Sequence, residues 1–239
     1  MSKCTLTSLY NNFLVETSYL LTMFKEHSPQ NVVMNKEGIL LKTKPDAKKK
    51  YVVLNAIENS LRVEQHSHIQ QVSLIQSACV IYIHCAWEQF CRQLIIISAS
   101  KQPLTANGIV VKRVFKNAKL TIAKVKSFHS RGYEPKWYNP RDCISTATRI
   151  NISNLGSVTS GLSITNSSPI PDYLNDFRNF FAHHNHGIME KIRQDIFLPM
   201  NIAMSVTPLS FLNTRDANNK FTLEVWVERL LIMAKNCIQ

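Results

Sequence analysis

The sequence predicts an all-α fold, a helical bundle around one long central helix with irregular or short β insertions. Three observations predict it. Apolar residues recur at helical spacing, as with Leu6, Leu9, Phe13, Leu20 and Phe24. Six glycines in 239 residues are too few for a fold built from many tight turns. The segment from His68 to Ala99 is almost free of breakers and apolar nearly all round in its middle, which places it at the centre of the fold.

Element by element, residues 5–27 read as an amphipathic helix closed by Ser28-Pro29. Residues 30–50 read as a basic loop, with Gly38-Ile39-Leu40-Leu41 as a short strand and Lys48-Lys49-Lys50 as a solvated run. Residues 51–66 fit a strand and a helix equally. A short helix is predicted near Ala118–Phe128, and Asn139-Pro140 marks a turn before a helix over 141–150. A weaker helical pattern covers 152–162. After the break at Ser167-Ser168-Pro169-Ile170-Pro171, Pro171 opens a helix with Asp172 near its positive end. Leu174, Phe177 and Phe181 form its buried stripe. Residues 188–196 continue as helix, 199–220 read as irregular, and Leu223–Asn236 as a terminal helix. The length fits a single domain over residues 1–239 with a basic insertion at about 101–141.

The net charge is +12, from 28 basic and 16 acidic residues. It is concentrated: the span from Lys101 to Arg141 holds Lys112, Arg113, Lys116, Lys124, Lys126 and five other cations against one acid, Glu134. A field of one sign favours a polyanion, and nucleic acid is the commonest. Phe115, Phe128, Tyr133, Trp137 and Tyr138 are interleaved with these charges. Such rings stack on single-stranded bases or anchor a core, and at least half of them fit the core role better.

No pair of the six cysteines has the CxxC spacing of a zinc or redox site. Cys79, Cys85 and Cys91 fall in one apolar segment, where they are expected to be small buried hydrophobes. The chain opens without a signal-peptide pattern, and its longest apolar stretch, Ala78–Trp87, is too short to span a membrane. The expectation is a cytoplasmic protein with reduced thiols and no membrane partner. Neither GxGxxG nor a phosphate-binding glycine loop is present, so a nucleotide-binding subunit has no support.

The stretch that carries chemistry is DYLNDFRNFFAHHNHG, Asp172 to Gly187. Arg178 and His183 enclose four residues, giving RxxxxH at a helix end. Five residues turn about 140° around a helix and rise about 7.5 Å, so these two are not on one stripe. Asn179 and His183 are, at i and i+4, so Asn179 can orient the imidazole while the longer arginine reaches in from the side. Histidine moves protons near neutral pH, as cleavage at a ribose 2′-hydroxyl requires. A guanidinium stabilises the extra charge on a pentacoordinate phosphate. One histidine per chain supplies a base or an acid but not both, and a two-fold dimer supplies two. The competing reading pairs Arg178 with Asp176 or Glu88 and leaves His183 as a helix-end cap. His183, His184 and His186 are too close in sequence for a three-ligand helix face, so no metal is expected, and no cofactor. His184 fits a phosphate contact or the surface. His66, His68 and His84 show no partner pattern.

RNFFAHHN resembles the signature of the HEPN superfamily, an arginine and a histidine with four to six residues between them and a polar residue after the arginine. CVIYIHCAWEQFCRQL resembles the long second helix of the abortive-infection and toxin-like members, in which one acid sits inside an apolar helix. Here that acid is Glu88. NISNLGSVTSGLSI resembles their inter-helix segment. The resemblance covers about residues 70–190. It implies a HEPN-like bundle that dimerises across the motif helices and a metal-independent endoribonuclease leaving a 2′,3′-cyclic phosphate and a 5′-hydroxyl. It implies Arg178 and His183 as catalytic, Asn179 as the polar neighbour and Glu88 as the acid facing Arg178. Glu88 also fits an i,i+4 surface pair with Arg92. The basic residues Lys112, Arg113, Lys116, Lys124 and Lys126, with His184, are the expected RNA contacts. An RNA-cleaving toxin or antiphage effector, held in check by an antitoxin or sensor protein, follows from the likeness. The alternative is a catalytically silent HEPN module for RNA or protein binding and dimerisation. Members modified by a partner nucleotidyltransferase carry tyrosine two residues after the histidine. Asn185 stands there instead, which counts against that form of control.

Overall fold

A computed structural model describes residues 5–28, 34–35, 38–39, 68–128, 131–163 and 169–239, with backbone alone at 34–35, 38–39 and 68–72. The expectations for Leu40-Leu41, Lys48–Lys50, residues 51–66, His66 and Ser167-Ser168 lie outside the described residues. Nearly all the described regular structure is helical.

Helix α1, Leu6–Glu26, starts where the Thr5 hydroxyl accepts from the Ser8 N–H. It turns Leu6, Phe13, Leu20, Met23 and Phe24 inward. Strands β1, Met34–Asn35, and β2, Gly38–Ile39, pair antiparallel with Met34 opposite Ile39. Helix α2, His68–Ser100, is the axis of the fold, about 50 Å long at 1.5 Å per residue. From Cys79 to Ala99 its apolar residues are buried on several sides, because α1 packs on it at one side and the later helices at others. Phe13 of α1 sits 5.1 Å from the Phe90 ring and 6.0 Å from Trp87. Burying rings of this size stabilises by about 1.5–3 kcal/mol each.

The chain after α2 folds back over its end, with the Val114 and Phe115 N–H groups both donating to the Ala99 carbonyl. Helix α3, Ala118–Lys126, is capped by Asn117. Helix α4, Pro140–Ile150, has its first turn fixed by proline and by the Asn139 side chain, and ends at left-handed Asn151. Helix α5, Leu155–Ser163, follows. Gly161 meets the last helix so closely that an added Cβ would lie 2.5 Å from Cys237 Sγ and 2.6 Å from its backbone nitrogen. Only a hydrogen fits there.

Helix α6, Ile170–His183, carries the RxxxxH stretch. Helix α7, His186–Ile192, runs on into one wider π turn, Arg193–Phe197. The stretch 199–220, expected to be irregular, contains helix α8, Pro208–Leu212. It has five residues, too few for a periodic signal, and is set by the Thr207 hydroxyl, which accepts from the Ser210 N–H, and by the first-turn proline. Helix α9, Thr222–Cys237, closes the bundle against α5 and α1.

The basic span is woven into the core rather than laid over it. Trp137 is buried, and Phe115, Phe128 and Tyr138 pack against the core, while Tyr133 is exposed. Of the three cysteines expected to be buried, Cys79 and Cys91 are, but Cys85 is exposed, because it lies on the outward side of α2.

Candidate functional site

The α6 stripe fixes where Arg178 goes. Phe177 packs at 5.3 Å on Trp226 and 5.8 Å on Phe211, with Phe181 beside it, so α6 cannot roll. Arg178 is the next residue, about 100° further round. That turn brings its charge to α2, where it acts on His84, Cys85 and Glu88. His84 and Glu88 are one helical turn apart and share a face.

The two carboxylates that could have neutralised Arg178 behave differently. Asp176 is 5% exposed, and both its oxygens accept from Lys191 Nζ at 2.7 Å. Glu88 is half-buried and raised above the usual carboxylate range by burial, with Arg178 pulling the other way. Among the described residues neither Arg178 nor Glu88 closes an ion pair. The i,i+4 pair of Glu88 with Arg92 does not form either. Arg92 gives Nε and Nη2 to Glu134 at 2.6 and 3.0 Å, and Trp137 adds a bond to the same carboxylate.

The Arg178 Nη1–H donates to the side-chain oxygen Asn179 Oδ1 at 2.8 Å. Asn179 is thus engaged by the arginine, and among the described residues no hydrogen bond joins it to His183. Arg178 Nε is buried without a partner among the described residues. His84, 3% exposed, has both ring nitrogens buried and unpartnered, 5.2 Å from the Tyr138 ring. Burial, with the Arg178 charge added, lowers the His84 imidazole to about 4, so it is neutral at physiological pH. An unpaired buried polar atom costs about 1–3 kcal/mol, and among the described residues Arg178 Nε and the two His84 nitrogens are three such atoms. Trp87 Nε1 holds the Tyr138 carbonyl at 3.0 Å and keeps this wall in place.

His183 is the last residue of α6 and is exposed. His184 stops the helix in the left-handed region at φ 47°, its N–H donating to the Phe180 carbonyl at 2.7 Å and its ring 5.8 Å from Phe180. Asn185 then starts α7 by accepting from the Gly187 N–H. His183, His184 and His186 therefore occupy an exposed corner between two helices. Among the described residues no three His, Cys, Asp or Glu side chains form a group able to hold a metal ion, and no helix is long and apolar enough to cross a membrane.

Apart from His184 at the helix corner, the predicted RNA contacts divide into two sets, all exposed. Lys124 and Lys126 close α3, and Lys126 acts on Glu134, the partner of Arg92, one turn of α2 beyond Glu88. Lys112, Arg113 and Lys116 lie where the chain crosses the Ala99 end of α2, about 16 Å along the helix from Glu88. Sequence reasoning missed His84 as a member of the site. Its signal was the i,i+4,i+8 series His84, Glu88, Arg92 inside an apolar helix.

No family model matches the chain, and comparison with curated proteins and with solved structures gives no match either.

Proposed function

We propose that the chain is a metal-independent endoribonuclease of the HEPN type, acting as a homodimer. The observation that carries this reading is the uncommitted cation: Arg178 is half-buried against α2, and a neutral amide is its only hydrogen-bond partner among the described residues. A guanidinium so placed can meet the charge that grows on a phosphate.

In this reading a ribose 2′-hydroxyl gives its proton to one His183 imidazole. The O2′ attacks the adjacent phosphorus, the P–O5′ bond breaks, and O5′ takes a proton from the second copy's equivalent histidine. The products are a 2′,3′-cyclic phosphate and a 5′-hydroxyl, with every proton accounted for. Arg178 stabilises the pentacoordinate phosphate, Asn179 steadies Arg178, and Glu88 supplies a negative charge on the α2 side without closing an ion pair among the described residues. The exposed His183 at the helix corner suits a site shared between two copies. Lys124 and Lys126, with Lys112, Arg113 and Lys116 further out and His184 at the corner, hold the RNA backbone, so binding weakens steeply with salt. Five free thiols among the described residues accord with a reducing cytoplasm. The biological role that fits is a toxin or antiphage effector restrained by an antitoxin or sensor protein.

The test is incubation of the purified chain with total RNA in EDTA and mapping of the ends. New 5′-hydroxyl and 2′,3′-cyclic phosphate ends, lost in His183→Ala, are the expected result. Intact RNA, or cleavage unchanged in His183→Ala, overturns the reading. RNA binding without new ends indicates the silent binding module instead.

A further inference from the structure

We propose that His84 is a positioning residue of the Arg178 site, a partner held in reserve for the Arg178 Nε–H when a phosphate draws the guanidinium away from Asn179. In its functional half this rests on the ribonuclease reading.

Three facts meet at one place. Among the described residues Arg178 Nε is a buried donor with no acceptor, and the His84 ring on α2, within reach of the Arg178 charge, carries two buried nitrogens with no partner. The only hydrogen bond that holds the guanidinium among the described residues is the one from Nη1 to its sequence neighbour Asn179. An imidazole without a positive charge has one nitrogen free to accept, which is what Nε–H lacks. Burial and the Arg178 charge from α6 keep His84 in that form, with the half-buried Tyr138 ring 5.2 Å away from the segment before α4, while Glu88, one turn on along its own helix, carries the opposite charge. Asp172 and Asp176 act on Tyr138 from α6, and Glu16 of α1 acts on Cys85. A core histidine kept for stability alone would have its nitrogens paired. Unpaired polar atoms beside an unneutralised arginine mark stability given up for a later contact. When Nη1 turns to a phosphodiester oxygen, Nε–H closes on the ring nitrogen and fixes the guanidinium plane.

The test uses full-length wild type, His84→Leu, His84→Gln, Arg178→Ala and the His84→Leu/Arg178→Ala double variant, all in EDTA. Thermal melting and affinity for a 2′-O-methyl RNA oligonucleotide are the readouts. His84→Leu is expected to melt at or above wild type, because it removes unpaired buried nitrogens, yet to bind about tenfold more weakly, the size of one hydrogen bond to a charged group. His84→Gln, which restores an acceptor, recovers binding to within about twofold. In the Arg178→Ala background His84→Leu has no further effect on binding. A lowered melting temperature with unchanged affinity, or an equal loss of affinity with Arg178 absent, overturns the proposal. Failure of the wild type to bind or cleave RNA overturns the ribonuclease reading itself. Normal wild-type binding with His84→Leu binding unaltered overturns only the role of His84.

Discussion

Two arginines stand about one turn apart along α2, Arg92 on the helix itself and Arg178 reaching it from α6, and they are treated in opposite ways. Arg92 is closed: two nitrogens on the Glu134 carboxylate, with Trp137 completing the acceptor. Among the described residues Arg178 is open: one bond to a neutral amide, a buried Nε without a partner, and a nearby Glu88 that forms no ion pair. The first arrangement spends its charge on tying the 131–138 segment to the long helix. The second leaves the guanidinium charge without a carboxylate partner among the described residues. Native folds pair buried polar groups almost everywhere, so a place that fails to do so is where function is sought.

The widest separation between the two arginines is in activity. Arg178→Ala is expected to lower RNA cleavage by about a thousandfold while the melting temperature stays near wild type. Arg92→Ala is expected to do the reverse, costing about 1–2 kcal/mol of stability by leaving Glu134 unpaired, with cleavage reduced only in proportion to unfolding. Rates and melting curves on both variants check this, and matching profiles would dissolve the distinction.

A second contrast lies in pH. The Arg92 hydrogen bonds hold the Glu134 carboxyl below its usual range, so its contribution to stability is present above the unfolded value and fades as pH falls through the folded one. Burial holds Glu88 above its usual range, so the folded state binds more protons there and stability falls as pH rises through that window. At pH 7, Glu134→Gln should therefore destabilise and Glu88→Gln should stabilise. Denaturant titrations at pH 4 to 7 read both slopes, and slopes of one sign would refute the contrast.

How much of this was legible in the sequence depends on how far apart the partners lie. The long helix and the motif helix follow from periodicity and from the Pro171 start signal, and Arg178, His183 and Glu88 from spacing and likeness. The commitment of Arg92 to Glu134 joins residues 42 apart in sequence, and no local pattern announces it. The Lys191–Asp176 pair crosses a helix corner and was equally hidden. His84 was visible only as one member of an i+4 series, since its meaning comes from α6 packing against it. Asn179, read as a support for His183, is instead bonded to Arg178, because neighbouring side chains at i and i+1 can meet when one of them is long.

Two smaller effects sharpen the comparison. His84 sits at about 4 against 6.5 for an ordinary imidazole, so the unfolded chain binds the extra proton between those values and stability drops on acidification through that window. His84→Leu should flatten that part of the profile, and an unchanged acid slope would count against a buried neutral imidazole. Lys191→Met is expected to cost about 1 kcal/mol, because its half-exposed ammonium is screened while Asp176 is left unpaired. Chemical denaturation checks it. Cleavage at or near the wild-type rate would place Asp176 outside the reacting group.

The most direct test of the central claim is the single-turnover cleavage rate of one defined RNA in EDTA, measured side by side for wild type and Arg178→Ala at equal folded fraction. The account predicts cleavage to a 5′-hydroxyl end by the wild type and a loss of about three orders of magnitude in the variant. Equal rates, or no cleavage by either, would contradict it.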